Sequence, residues 1–170
     1  MLSDKMEKAL NEQVNAEMYS AYLYLAMSAY FEDQNLSGFA NWMHVQAQEE
    51  MTHAMKIYNY IHDRGGRVVL EQIDKPQSEW ENAEKVVEEV FAHEQKVTQM
   101  IHNLVNLARD EKDHGTDNML QWFVSEQVEE EANADELLQQ VKMIGGQGHG
   151  LLMLDRELKQ RQFVDETQQE

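Results

Sequence analysis

Cysteine is absent from these 170 residues, proline occurs once and glycine eight times. Without cysteine there is no thiolate nucleophile, no disulfide framework, no Cys-ligated zinc and no iron–sulfur cluster. Such a chain fits a reducing compartment. One proline is too few for a many-turned β-sandwich and favours long helices. Bases are scarce too: 14 Lys and Arg face 32 Asp and Glu, a net charge of −18. That field repels nucleic acid and anionic membranes and attracts cations, so neither a nucleic-acid nor a membrane partner is expected. Long apolar runs are also missing. The longest, about Ala21 to Phe31, is too short to span a bilayer and contains Ser28. The opening MLSDKMEKAL has no basic segment followed by an apolar one, so no secretory signal is visible. The expectation is a cytoplasmic protein with a single domain over 1–170.

What is present is helical punctuation. Ser3 and Asp4 cap a first helix reaching about Asp33. EDQNLSG is a turn, and Ser37 caps a second helix that runs to about Arg64 and stops at Gly65-Gly66. RVVLEQIDKP has no helical period and reads as an extended connection to about residue 77. Ser78 to Glu81 forms a capping box that starts a third helix ending near Asp110. HGTD around Gly115 breaks the pattern, and a fourth helix runs to about Ile144. GGQGHG, 145–150, is a hinge, and a short fifth helix covers about Leu151 to Val164. The links inside the first four helices are short, long, short. That describes an all-α four-helix bundle over 1–145: two antiparallel hairpins joined by a long crossover between helices 2 and 3. About 14 extended residues reach roughly 45 Å, the length of a 30-residue helix.

Each long helix carries a seam with steps of three and four residues. The seams are Met6, Leu10, Gln13, Glu17, Ser20, Tyr24, Met27, Phe31; then Phe39, Met43, Gln46, Glu50, His53, Ile57, Tyr60; then Val87, Val90, Glu94, Val97, Ile101, Leu104, Ala108; then Leu120, Phe123, Gln127, Glu130, Ala134, Leu137, Val141. Every seam is interrupted near its middle by a carboxylate. An unpartnered buried carboxylate costs several kcal/mol, and four at one depth repel each other. No Lys or Arg stands in any seam to neutralise them. Four negative charges balance two divalent cations, and His53 adds a neutral nitrogen one turn after Glu50.

Spacing argues the same way. Glu17 to Glu50 and Glu94 to Gln127 are both 33 residues, and the second half repeats the first at an offset of 77: 17 to 94, 50 to 127, 53 to 130. Glu49 and Glu126 obey the same offset. One Glu on each of two helices with Glu-x-x-His on the others is the di-iron carboxylate pattern, here with the second motif altered to Gln127-x-x-Glu130. Oxygen-rich ligation with one imidazole suits iron or manganese and tolerates zinc. Glu126, Glu129 and Glu130 share a face of the fourth helix and, with Glu49, suit a third cation beside the pair. Tyr24, seven residues after Glu17, reads either as packing or as a redox neighbour of the metals. Trp122 reads as packing. Glu111 and His114 form another Glu-x-x-His, but off the seam at a helix end. The other histidines lack a carboxylate at seam spacing, and the 11 methionines are mostly core filler.

The motifs QVNAEMYSAYLYLAM, QAQEEMTHA, HEQ and FVSEQVEEE together resemble the ferritins, most of all the bacterial non-haem type. The resemblance spans nearly the whole chain. It implies a bundle plus a fifth helix, assembled as a homo-oligomer of 24 subunits around a hollow core. It implies a ferroxidase that oxidises Fe(II) with dioxygen or peroxide and stores ferric mineral inside. Carried over, Glu17, Glu50 and His53 match the first iron site. Glu50, Glu94 and Glu130 match the second, with Glu50 bridging. Gln127 matches a hydrogen-bonding residue near the pair. Glu49, Glu126, Glu129 and Glu130 match a third iron site. Tyr24 and Trp122 match aromatics near the centre, and the fifth helix matches the segment packed at fourfold axes. Asp117 falls where ferritins line threefold channels, whereas Leu120 replaces a second acid of the animal proteins. Met51 stands where bacterioferritins hold haem, but their second Glu-x-x-His is absent here, so no haem is expected. The same ligands also suit a di-iron oxygenase or di-manganese catalase, and the non-enzymatic alternative is a purely structural acidic bundle.

Overall fold

The computed structural model describes residues 1–165 and residue 167. Among the described residues are five helices and no strand: α1 (Asp4–Asp33), α2 (Ser37–Asp63), α3 (Ala83–Asp110), α4 (His114–Met143) and α5 (Gly148–Leu158). None is long and apolar enough to cross a membrane. The helix α1 packs along α2, and α3 along α4, with α5 laid on α2. This is the expected four-helix bundle with a long middle crossover and a short C-terminal helix.

Helices α1 to α4 all stop by one device. A residue in the left-handed region turns the chain, and the next N–H bonds back to a carbonyl five residues earlier. Asn35, Gly65, Lys112 and Gly145 make the turn. The returning bonds run from Leu36 to Phe31, Gly66 to Ile61, Asp113 to Ala108 and Gly146 to Val141, at 2.8–3.0 Å. Two starts follow local chemistry. Ser3 Oγ accepts from Met6 N–H at 3.0 Å, and Asp113 Oδ1 accepts from Thr116 N–H at 3.2 Å. The break between α3 and α4 therefore falls at Glu111–Asp113, and Gly115 lies inside the first turn of α4.

Three boundaries differ from the sequence reading. The Ser78–Glu81 box does not start α3. Asn82 caps it instead, its Oδ1 accepting from Lys85 N–H at 3.0 Å. Trp80 turns onto Tyr30, with ring centroids 5.3 Å apart, and donates to Glu89 at 2.5 Å, which keeps the preceding chain out of the helix. Ser37 does not cap α2 through its side chain. That duty falls to Asp155 of α5, whose Oδ1 accepts from Gly38 N–H at 2.7 Å and Phe39 N–H at 3.0 Å. A Cβ on Gly38 would sit 1.5 Å from the Asp155 carbonyl oxygen, so only glycine allows this approach. Finally, α5 spans 148–158 rather than 151–164. Asn41 Nδ2 donates to the carbonyls of Leu158 (3.2 Å) and Arg161 (3.0 Å), which holds the following segment extended along the bundle.

The crossover is extended, as expected, and α1 pins it with side chains. Asn11 accepts from Val69 N–H (2.7 Å) and donates to Arg67 C=O (3.0 Å). One turn on, Asn15 donates to the carbonyls of Glu71 and Gln72 (3.3 Å each). These bonds satisfy backbone groups that no strand partner reaches.

All the seam residues are buried except Tyr60, which is half-buried. The apolar ones form two separate clusters. One gathers Tyr24, Met27, Phe31, Phe39, Met43, Val87, Val90 and Val141. The other gathers Met6, Leu10, Ile57, Ile61, Ile101, Leu120 and Phe123. The carboxylates occupy the layer between them.

Candidate metal centre

That layer is polar but almost dry. Glu17, Glu50, Glu94 and Glu130 are at most 4% exposed, and His53 is 3% exposed. Each arrives from a different helix because the seams place it there, one residue per helix with His53 a turn beyond Glu50. Oxygens of Glu17 and Glu50 and a ring nitrogen of His53 lie within 4.8 Å of one another. A second triple, His53, Glu126 and Glu130, meets the same limit. His53 stands between them, Nδ1 3.6 Å from Glu50 Oε2 and Nε2 3.6 Å from Glu126 Oε1. Edge contacts with Trp122 (5.4 Å) and Phe123 (6.1 Å) fix its ring.

Glutamines steady three of the four acids. Gln13 donates to Glu17 (2.8 Å), Gln46 to Glu130 (2.8 Å) and Gln127 to Glu94 (3.2 Å). The Tyr24 hydroxyl also donates to Glu94 in a short bond. Gln13 and Gln46 were passed over in the sequence. The signal was there, since both stand in the seam one turn before a seam acid. Two buried carboxylate oxygens, Glu17 Oε2 and Glu50 Oε2, have no hydrogen-bond partner. Unpartnered carboxylate oxygens in a buried layer suit a cation.

The electrostatics agree. Burial, reinforced by the charges of Glu94 and Glu17, pushes the Glu50 carboxyl well above the carboxylate range against the pull of His53. Burial and then the Glu130 charge push Glu94 up to about 8. Burial raises Glu130 as well. For His53 burial works downward, but the Glu126 and Glu50 carboxylates, each 3.6 Å from the ring, outweigh it and raise it. Tyr24 is raised by burial and by the Glu94, Glu50 and Glu130 charges. Without a cation the layer thus holds protons it would shed beside one.

The outer acids behave differently. Glu126 is buried and joins the second triple. Glu129 is exposed and stands outside both triples. Glu49 is half-buried and bonded at 2.6 Å to the guanidinium of Arg161. Asp117 is engaged by Arg109 at 3.3 Å. Met51 is exposed and lines a cleft of about 680 Å³ with Met55, Met119 and Phe163.

Comparison with known proteins gives concordant matches. Residues 7–144 fit the family model Ferritin, described as a ferritin-like domain. A bacterial non-heme ferritin of Bacteroides fragilis is 45% identical over 161 residues, 95% of this chain and the whole of that protein. One from Staphylococcus epidermidis is 40% identical, covering 98% of this chain and the whole of that protein. The open-pore ferritin of the archaeon Archaeoglobus fulgidus superposes with a TM-score of 0.94 at 51% identity, over 95% of this chain and all of that one.

Proposed function

The chain belongs to the ferritin family, and from that premise we propose that it is an iron-storage ferroxidase. Fe(II) is the substrate and ferric mineral the stored product. The observation that carries this reading is the dry layer of four acids and one histidine with two orphaned carboxylate oxygens. Glu17, Glu50 and His53 hold one Fe(II). Glu50, Glu94 and Glu130 hold the second, with Glu50 between them. Glu126 and Glu130, with Glu49 and Glu129, attract a third.

Two Fe(II) lose one electron each. Dioxygen takes both, with two protons, and leaves as hydrogen peroxide; peroxide itself serves as an alternative oxidant. Oxygen ligands stabilise Fe(III) over Fe(II) and so favour the step. The glutamines and Tyr24 keep the acids aimed inward while the ions pass. Hydrolysis of Fe(III) then deposits mineral inside a shell of identical subunits, for which the family's 24-subunit assembly is the expectation. The apolar residues Leu152 and Met153 of α5, 52% and 59% exposed, suit burial against such neighbours. The setting is the cytoplasm, and haem has no part in the chemistry.

The test is aerobic Fe(II) loading followed by gel filtration and iron analysis. Storage predicts iron far in excess of the ligand sets, co-eluting with a very large particle. Two or three irons per chain on a small oligomer would overturn it in favour of a bundle enzyme acting on an organic substrate.

A further inference from the structure

We propose that Arg161 is a built-in competitor for the third iron position. This rests on the metal-centre reading and extends it to a residue outside the bundle. Arg161 Nη2 donates to Glu49 Oε2 at 2.6 Å. Its guanidinium also lies over the Trp42 ring, 4.7 Å from the centroid. Asn41 grips the Arg161 carbonyl and so fixes where the side chain begins. One cation of the tail therefore occupies an acid assigned to the third position.

A cation that arrives there must take Glu49 from Arg161. The exchange is feasible because the pair is imperfectly satisfied. Arg161 Nη1 is buried and has no hydrogen-bond partner. The side chain also borders a cleft of about 240 Å³, with Trp42, Asn133, Glu136 and Gln140 around it. Displaced from Glu49, the guanidinium has room to turn toward Glu136, which also lines that cleft. Nothing similar burdens Glu17 or Glu94, whose hydrogen-bond donors are neutral amides and a phenol. The consequence is graded affinity: two positions bind without contest, and the third binds against a resident charge. A weakly held third ion is one that passes onward.

The experiment is calorimetric titration of the metal-free assembled protein with Zn(II), a redox-inert stand-in for Fe(II), in wild type, R161Q and R161K. Wild type is expected to show two tight steps and a weaker third. R161Q removes the charge and should tighten the third step about tenfold, the scale of one hydrogen bond to a charged group. R161K keeps the charge and should stay near wild type. A crystal structure of the zinc-loaded wild type should show Glu49 turned from Arg161 to the metal. Tight steps intact but a third step unchanged or weaker in R161Q would overturn the inference alone. Equal tightening in both variants would overturn the charge argument. Absence of the tight steps in every protein would overturn the metal-centre reading and this inference with it.

Discussion

Loading the centre with a divalent ion should expel protons, and the structure sets how many. Glu94 sits at about 8 in the metal-free protein. At pH 7 it is then about nine-tenths protonated, whereas a metal-bound carboxylate carries no proton. Glu94 alone releases ~0.9 proton per chain at that pH. Glu50 and His53 are both raised as well and add to the release in the same direction. The sign for stability follows. A carboxyl raised in the fold favours the protonated state, so its contribution is complete below the unfolded value of about 4.5 and disappears as pH rises through 8. A rise of that size corresponds to about 5 kcal/mol of metal-free stability lost between acid and alkaline pH, and ligation relieves it. Zn(II) titration in buffers of different ionisation enthalpy counts the protons directly. The slope should be about one or more at pH 7 and decline beyond pH 8. No proton release at pH 7, or a release that stays constant through pH 9, would refute this account of the layer.

Other consequences are simpler to check. Glu17→Ala and His53→Ala should each slow the fast phase of Fe(II) oxidation about tenfold or more while far-ultraviolet dichroism stays helical; undiminished rates in both would sink the ligand assignment. Tyr24→Phe strips a donor from buried Glu94 and should lower metal-free stability by about 1–3 kcal/mol in denaturant titration, and an unchanged midpoint argues against the bond. Gly38→Ala drives a methyl into the Asp155 carbonyl and should dislodge α5, read as a changed assembly on gel filtration with the bundle still helical; an unaltered particle contradicts the docking. Burial, followed by the charge of Lys96, holds His93 down at about 4. Because that lowered group prefers to be neutral, the fold should lose stability as pH falls from about 6.5 toward 4, and His93→Gln should flatten that limb of a thermal melt.

The seams were legible because heptad-like spacing survives in every helix, and burial followed it at all positions but Tyr60. The buried acids were legible for the same reason: an acid in a core register is an anomaly that sequence alone exposes. What escaped was whatever depends on distant residues. Ser37 is a good capping residue in place, yet the bonds go to Asp155, 117 and 116 positions away. Ser78 and Glu81 satisfy a local rule, but Trp80 packing on Tyr30 overrides it. The sequence reading carries α5 to Val164, whereas Asn41 draws the backbone out after Leu158. Glu49 read as an open ligand, and nothing near it in sequence announces Arg161.

The junction of Asp155 with the first N–H groups of α2 also has a mechanical meaning. An α-helix is stiff along its axis, and Gly38 lies twelve residues before Glu50, about 18 Å of rise. Moving α5 pushes or pulls on the end of a rod whose middle carries Glu50 and His53. A displacement of half an ångström at the joint arrives nearly undiminished at both residues, more than the tolerance of about 0.2 Å on a metal–ligand distance. Whatever clamps α5 therefore tunes the spacing of the centre from a distance, and loosening it detunes the centre without touching a single ligand.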